Sequence, residues 1–208
     1  VTIPNSVTNI GEYAFNACKN LASVTIGSSV KSIEMNAFSG CMRLVEVFNK
    51  SDLSLTAGSY DNGNVALFAK NIYTQEGGSW LSDTEDGYRF LYDGSTGYLV
   101  GYFGTETQLT LPQSFTAYNG TQVMEYEINL YAFYECSGLT SIAIPDSVTS
   151  IGGGAFNACS NLTSVTIGSG VTYIGDSAFH DCYSLENVYY HGTEEEWESI
   201  SIGYNNSY

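Results

Sequence analysis

Residues 142–164, IAIPDSVTSIGGGAFNACSNLTS, and residues 165–187, VTIGSGVTYIGDSAFHDCYSLEN, are two versions of one 23-residue phrase. The same phrase opens the chain twice, as VTIPNSVTNIGEYAFNACKNLAS over 1–23 and VTIGSSVKSIEMNAFSGCMRLVE over 24–46. Apolar positions recur in step: Ile10, Ile33, Ile151 and Ile174; Phe15, Phe38, Phe156 and Phe179; Leu21, Leu44, Leu162 and Leu185. A fixed apolar set at a fixed period means stacking, because one such unit cannot enclose its own hydrophobic side chains whereas a column of them can.

Within a unit, Val24-Thr25-Ile26 alternates apolar and polar residues, the period-2 sign of a strand with one face inward. Pro or Gly follows and ends the strand. The stretch from Gly11 to Cys18, centred on Ala14-Phe15, is compatible with one or two turns of helix that would depend on tertiary packing. Leu21 leads back into the next strand.

The pattern Ile-Pro-x-Ser-Val-Thr-x-Ile-Gly-x-x-Ala-Phe-x-x-Cys-x-x-Leu-x-x-Val resembles the BspA-like leucine-rich repeat, found in surface proteins of host-associated bacteria and of some protists. Residues 1–46 and 128–187 carry it. The resemblance implies an α/β solenoid, a right-handed leucine-rich-repeat horseshoe with a parallel sheet on its concave side and short helices or irregular turns on its convex side. It implies no particular chemistry, since fold and function separate readily.

The expected organisation is a single leucine-rich-repeat domain over 1–208, opening with two regular repeats in 1–46. Between Val47 and Gln108 the phrase is lost and Gly, Asp, Ser and Tyr accumulate, so 47–108 is expected to be a β-rich insertion. Inside it, Tyr88–Tyr92, a Gly-rich turn and Tyr98–Phe103 predict a β-hairpin. Residues 109–187 then hold an enlarged repeat and two regular ones. In 188–208, Thr193 followed by Glu196 forms a capping box at the head of an acidic helix, predicting a C-terminal helical cap with Trp197 and Ile200 on one face. Val1 is equivalent to Val24, so the chain starts at a repeat boundary and is expected to be a piece of a longer protein.

Composition excludes several functions. The 22 acidic and 6 basic residues give a formal net charge of −16, leaving too few cations to neutralise a nucleic-acid backbone or an anionic membrane. Hydrophobic residues at 43% and aromatic residues at 14% are too many for an acidic disordered segment. No apolar run approaches the roughly 20 residues that span a bilayer.

The five cysteines, Cys18, Cys41, Cys136, Cys159 and Cys182, fall on one column of the repeat, without the clustered spacing of a metal site. Buried apolar thiols are the leading reading. Disulfides between neighbouring coils are the alternative, and five being odd, one thiol must then stay unpaired. His180-Asp181-Cys182 looks like a nucleophile pair, but Cys182 is one member of the column, and Asn16, Ser39, Tyr134 and Asn157 stand where His180 does. Asp83, Glu85 and Asp86 lack the spaced loop of a calcium site. No cofactor, metal site or catalytic residue is expected, and enzyme activity is not.

What remains is surface. Alternation places Ser23, Thr25, Glu46, Phe48, Ser141, Ser164, Thr166, Asn187 and Tyr189 on the outward face of the concave strands, with Phe48 and Tyr189 as aromatic anchors. The expected function is a non-catalytic, adhesin-like protein-interaction module of a secreted or cell-surface bacterial protein, whose partner is a host extracellular or surface protein. The alternatives are a glycan-binding module using Tyr88, Tyr92, Tyr98 and Tyr102 of the hairpin, which would show an exposed aromatic pair near Asp or Asn, and a structural spacer.

Overall fold

The computed structural model describes residues 1–74 and 79–206 of the 208. They fall into two compact units, Val1–Ser79 and Trp80–Tyr208, where a single domain was expected. Each unit is a β-solenoid with almost no helix.

In the first unit, strands Ser23–Ile26, Glu46–Asn49 and Asn71–Tyr73 pair in parallel. Ser23 lies opposite Glu46, and Glu46 opposite Asn71. Val24 and Ile26 point inward and are fully buried, as the alternation requires. Shorter strands, Asn9–Ile10 and Ser32–Ile33, form a second parallel ladder in the same coils. The pairing with Asn71–Tyr73 carries the coil beyond Glu46, where the sequence phrase ends: the amide of Phe38 donates to the carbonyl of Gly63 at 2.8 Å, as Phe15 donates to Ala37 at 2.7 Å. Residues 47–73 are therefore a further coil in backbone terms rather than part of an insertion. Backbone ladders do not require the side chains of the repeat.

In the second unit, Gln108–Thr110, Ser141–Ala143, Ser164–Ile167 and Asn187–Tyr190 form one parallel sheet. The other sheet has seven strands. Its parallel part runs from Gly97–Tyr102 through Tyr126–Ile128, Val148–Ile151 and Tyr173–Ile174 to Ser201–Ile202. Its antiparallel part is the meander Leu81–Asp83, Tyr88–Tyr92 and Gly97–Tyr102. The hairpin therefore does not hang from the solenoid as a loop, because its last strand is a rung of the second ladder. Asp93 closes the hairpin turn by accepting the amides of Ser95 and Thr96 at 2.9 and 2.8 Å. Burial works to raise the Asp93 carboxyl, but those bonds hold it below the usual carboxylate range.

The arc carrying the Ala-Phe pair is a run of tight turns, where helix had been an option. Two positions per coil take the left-handed conformation, such as Tyr13 and Ala17 (φ 56° and 53°) or Ser177 and Asp181 (55° and 60°). These reversals split the amides into two sets. Asn157 donates within its own turn to Gly154 at 3.0 Å, while Phe156 and Ala158 donate to Ala178 and His180 of the next coil at 2.8 and 2.9 Å. An α-helix would use nearly every amide internally and leave none to join the coils. Aromatic rings stack along this arc, Phe15 on Phe38 at 4.8 Å, and Phe156 between Phe133 and Phe179 at 4.9 and 5.1 Å.

The corner after the long strand holds Pro4, Pro112 or Pro145 in some coils and Gly27 or Gly168 in others, while Lys50 and His191 follow Glu46–Asn49 and Asn187–Tyr190. A Cβ at Gly168 would run into the Pro145 backbone, so only glycine lets these coils approach. At the C-terminal end, the single α-helix among the described residues, Glu194–Ser199, starts at Thr193, whose side chain accepts the Glu196 amide while Glu196 accepts the Thr193 amide. Trp197 packs against Tyr190 at 5.3 Å. The chain then returns as Ser201–Ile202 to the second sheet, so 188–206 also traces a coil of its own, a feature the sequence did not announce.

Candidate functional site

The expected binding residues divide between the two units. In the second, register aligns two outward rows: Gln108, Ser141, Ser164 and Asn187, and Thr110, Ala143, Thr166 and Tyr189. Ser141, Ser164 and Thr166 are half-buried, Asn187 is exposed and Tyr189 is 56% exposed. The result is a face of small polar side chains with one large aromatic at its edge.

In the first unit, Ser23 and Thr25 are half-buried, but Glu46 and Phe48, expected on an open face, are both buried. Phe48 stacks on Tyr73 at 5.1 Å because the strand Asn71–Tyr73 places these residues side by side. The Glu46 carboxylate accepts a hydrogen bond from the Ser79 hydroxyl at 3.0 Å. Neither is an open contact residue.

None of the five cysteines is joined in a disulfide. Cys41, Cys159 and Cys182 each donate to the phenylalanine carbonyl one coil back, at Phe15, Phe133 and Phe156, over 3.0 to 3.1 Å. Burial pushes the Cys41 and Cys182 thiols up to about 11, the reverse of the lowered pKa that makes a cysteine nucleophilic. His180 turns to Asp181 instead, with its Nδ1 at 3.2 Å. Asp83 is engaged by Arg89 through two contacts of 2.6 Å, and that guanidinium holds its carboxyl below the usual carboxylate range. Among the described residues, no group of three or more His, Cys, Asp or Glu side chains is placed to hold a metal ion.

The geometry is that of stacked leucine-rich coils, and the model of the BspA type leucine rich repeat region matches the chain in six copies, over residues 1–63 and 126–204. The chain belongs to this family. Comparison with curated proteins finds no match. Among solved structures it is similar to a leucine-rich repeat protein from Bacteroides capillosus, at 26% identity and a TM-score of 0.48, over 55% of this chain and all of that one. It is also similar to a leucine rich cell surface protein from Faecalibacterium prausnitzii, at 20% identity and a TM-score of 0.34, over 97% of this chain and 81% of that one. A leucine-rich repeat protein from Bacteroides ovatus matches at 22% identity and a TM-score of 0.38, over 98% of this chain and 47% of that one.

The hairpin of this BspA-type chain does not offer the tyrosine platform expected of it. Tyr88 is buried and donates to the Thr110 carbonyl at 3.3 Å, and burial raises its hydroxyl pKa to about 12. Tyr102 lies between Tyr88 and Phe133, with its hydroxyl accepting the Glu106 amide at 3.0 Å. Tyr92 bonds to the Gly94 carbonyl at 3.0 Å, and Tyr98 is half-buried. An aromatic pair that sequence reading did not single out lies elsewhere. Tyr118, at the tip of the small hairpin formed by Phe115–Thr116 and Gln122–Val123, is 43% exposed and sits 4.9 Å from Trp80. Exposed Asn119 adjoins it. Trp80 and Tyr118 are far apart in sequence, in stretches without repeat signal, so no local pattern pointed to them.

Proposed function

We propose that this chain is a non-catalytic protein–protein interaction module, adhesin-like, of a secreted or cell-surface bacterial protein. We place its contact surface on the outward face of Gln108–Thr110, Ser141–Ala143, Ser164–Ile167 and Asn187–Tyr190. Membership of the BspA-type repeat family supports an interaction or surface role, and proteins of this kind are typically not enzymes. The observation that carries the placement is Tyr189, a largely exposed ring at the edge of two rows of small polar residues. Such a face lets a partner backbone approach closely, while the ring supplies the kind of anchor found at binding hot spots. The net charge of −16 favours a basic protein partner over an acidic one.

A glycan-binding role is the second reading, favoured by the Trp80–Tyr118 pair and the adjacent amide of Asn119. The test is to screen the full chain against arrayed extracellular-matrix proteins and arrayed glycans, at low and at physiological salt. Saturable protein binding that Tyr189→Ala weakens at least tenfold supports the sheet face. Glycan binding lost in Trp80→Ala moves the function to the aromatic pair, and silence on both arrays leaves a structural spacer. Phe48→Ala does not belong in this test, because that ring is buried.

A further inference from the structure

The sequence contains the pair Asn-Gly twice, at Asn62-Gly63 and Asn119-Gly120, and the fold treats the two differently. Asparagine followed by glycine carries a chemistry of its own: with no Cβ to obstruct it, the glycine nitrogen can reach the preceding carboxamide. At the first pair this reach is blocked. Gly63 is buried, and a Cβ there would meet the Glu34 carbonyl and the Ala37 and Ile33 side chains. Its carbonyl accepts the Phe38 amide at 2.8 Å, Asn62 is held left-handed at φ 49°, and the Asn62 Nδ2 donates to the Ser54 carbonyl at 3.2 Å. Backbone and carboxamide are both pinned into a coil.

The second pair lies in the open. Asn119 and Gly120 are exposed at the tip of the small hairpin, whose strands Phe115–Thr116 and Gln122–Val123 have two residues each. A Cβ at Gly120 would meet nothing within 4 Å. The Asn119 Oδ1 accepts the Thr121 amide at 3.0 Å, which folds the carboxamide forward over the Gly120 peptide and draws electron density from Cγ. Among the described residues, no acceptor holds the Asn119 Nδ2, the group that would leave. One bond opposes reaction: the Gly120 amide donates to the Ala117 carbonyl at 2.8 Å. It closes only a solvent-exposed hairpin tip, the kind of backbone bond that opens by local fluctuation without unfolding the rest.

We propose that Asn119 is a site of spontaneous deamidation, a modification that places a carboxylate beside the Trp80–Tyr118 pair. The Gly120 nitrogen loses its proton and bonds to Asn119 Cγ, the Cγ–Nδ2 bond breaks, and ammonia leaves. Water then opens the resulting cyclic imide at either of its two carbonyl carbons, giving aspartate, or isoaspartate with the chain rerouted through the side chain. Water is the only co-reactant. The product adds one negative charge to a chain already at −16 and turns the amide beside the aromatic pair into an acid. The site rests on neither reading of the binding surface. The test is to hold the full chain in native buffer at mildly alkaline pH and, in parallel, in concentrated urea, following peptide mass and isoaspartate content over time. In native buffer the gain of one mass unit should appear at Asn119 at least tenfold faster than at Asn62, with both aspartate and isoaspartate formed, and should vanish in Asn119→Gln. In urea the two pairs should react at similar rates, since only the fold distinguishes them. No gain at Asn119 in native buffer would show that the Gly120 bond holds the turn shut, and equal rates at Asn62 and Asn119 there would show that the fold does not choose the site; either result overturns the proposal.

Discussion

The segments 148–190 and 80–107 lie in the same unit and feed the same seven-stranded sheet, yet they are held differently. In the first, backbone ladders and side-chain columns coincide: each coil adds a strand to both sheets, a ring to the phenylalanine stack and a thiol to the cysteine column. In the second, only the ladder survives. Gly97, Tyr98 and Leu99 pair in register with Tyr126, Glu127 and Ile128, but the turn with its ring and thiol is absent and Tyr102 stands in for it. A parallel ladder asks only for extended backbone at the right height, whereas a column asks for a particular side chain at a particular position. The repeat can therefore lose its phrase without losing its sheet, and the loss leaves room inside.

If the columns stabilise the regular coils more than the stand-in stabilises the hairpin, truncations should separate the two. Phe156→Ala removes a fully buried ring stacked on both sides and should cost about 3–5 kcal/mol. Tyr102→Ala, truncating a half-buried ring, should cost about 1–2 kcal/mol. Denaturant midpoints at constant m-value would measure both, and equal losses would end the distinction.

Alkaline titration sharpens it. The folded state raises the Cys182 thiol in the columns and the Tyr88 hydroxyl in the hairpin, so each contributes stability that is complete below its unfolded pKa and is lost as pH rises through its folded one. For Cys182 the window runs from 9 to about 11, and for Tyr88 from 10 to about 12. Each loss should be on the order of 2 kcal/mol. In a pH series of unfolding curves, Cys182→Ser should remove the earlier part of the decline and Tyr88→Phe the later. A decline unchanged by both substitutions would show that neither group drives it.

The smallest effect lies in the turns. Ala158 holds a left-handed conformation, φ 61°, one coil after the equivalent Glu135 at 55°. Ala158→Gly relieves that strain and should raise stability by up to about 1 kcal/mol, offset in part by the greater freedom of glycine in the unfolded chain. Thermal melting would read it, and a loss of stability would show that the Ala158 methyl contributes more than the strain costs.

Several features were legible in the sequence for reasons that now have structural form. The recurrence of Phe15 and Phe38, and of Phe156 and Phe179, is visible because ring stacking needs the same residue at the same offset. The capping box of Thr193 and Glu196 is legible because both bonds lie within four residues. The coil over 47–73 was not legible, since the pairing of Glu46–Asn49 with Asn71–Tyr73 is a backbone event between diverged sequences. Nor were the turns, because Tyr13, Ala17, Ser177 and Asp181 carry no glycine to mark their left-handed conformations.

By itself the sequence determined the period, the inward apolar set, the strand that opens each repeat and the family. All of these are encoded in the residues of one coil and repeated in the next. Tertiary structure alone decided which outward residues stay open and where the stack is interrupted. Glu46 is buried and Tyr189 exposed although both face outward by alternation, because exposure depends on what lies over a strand and not on the strand itself. A cavity beside Phe133 exists because a turn is missing from the neighbouring coil, and a gap between coils appears only when the coils are stacked.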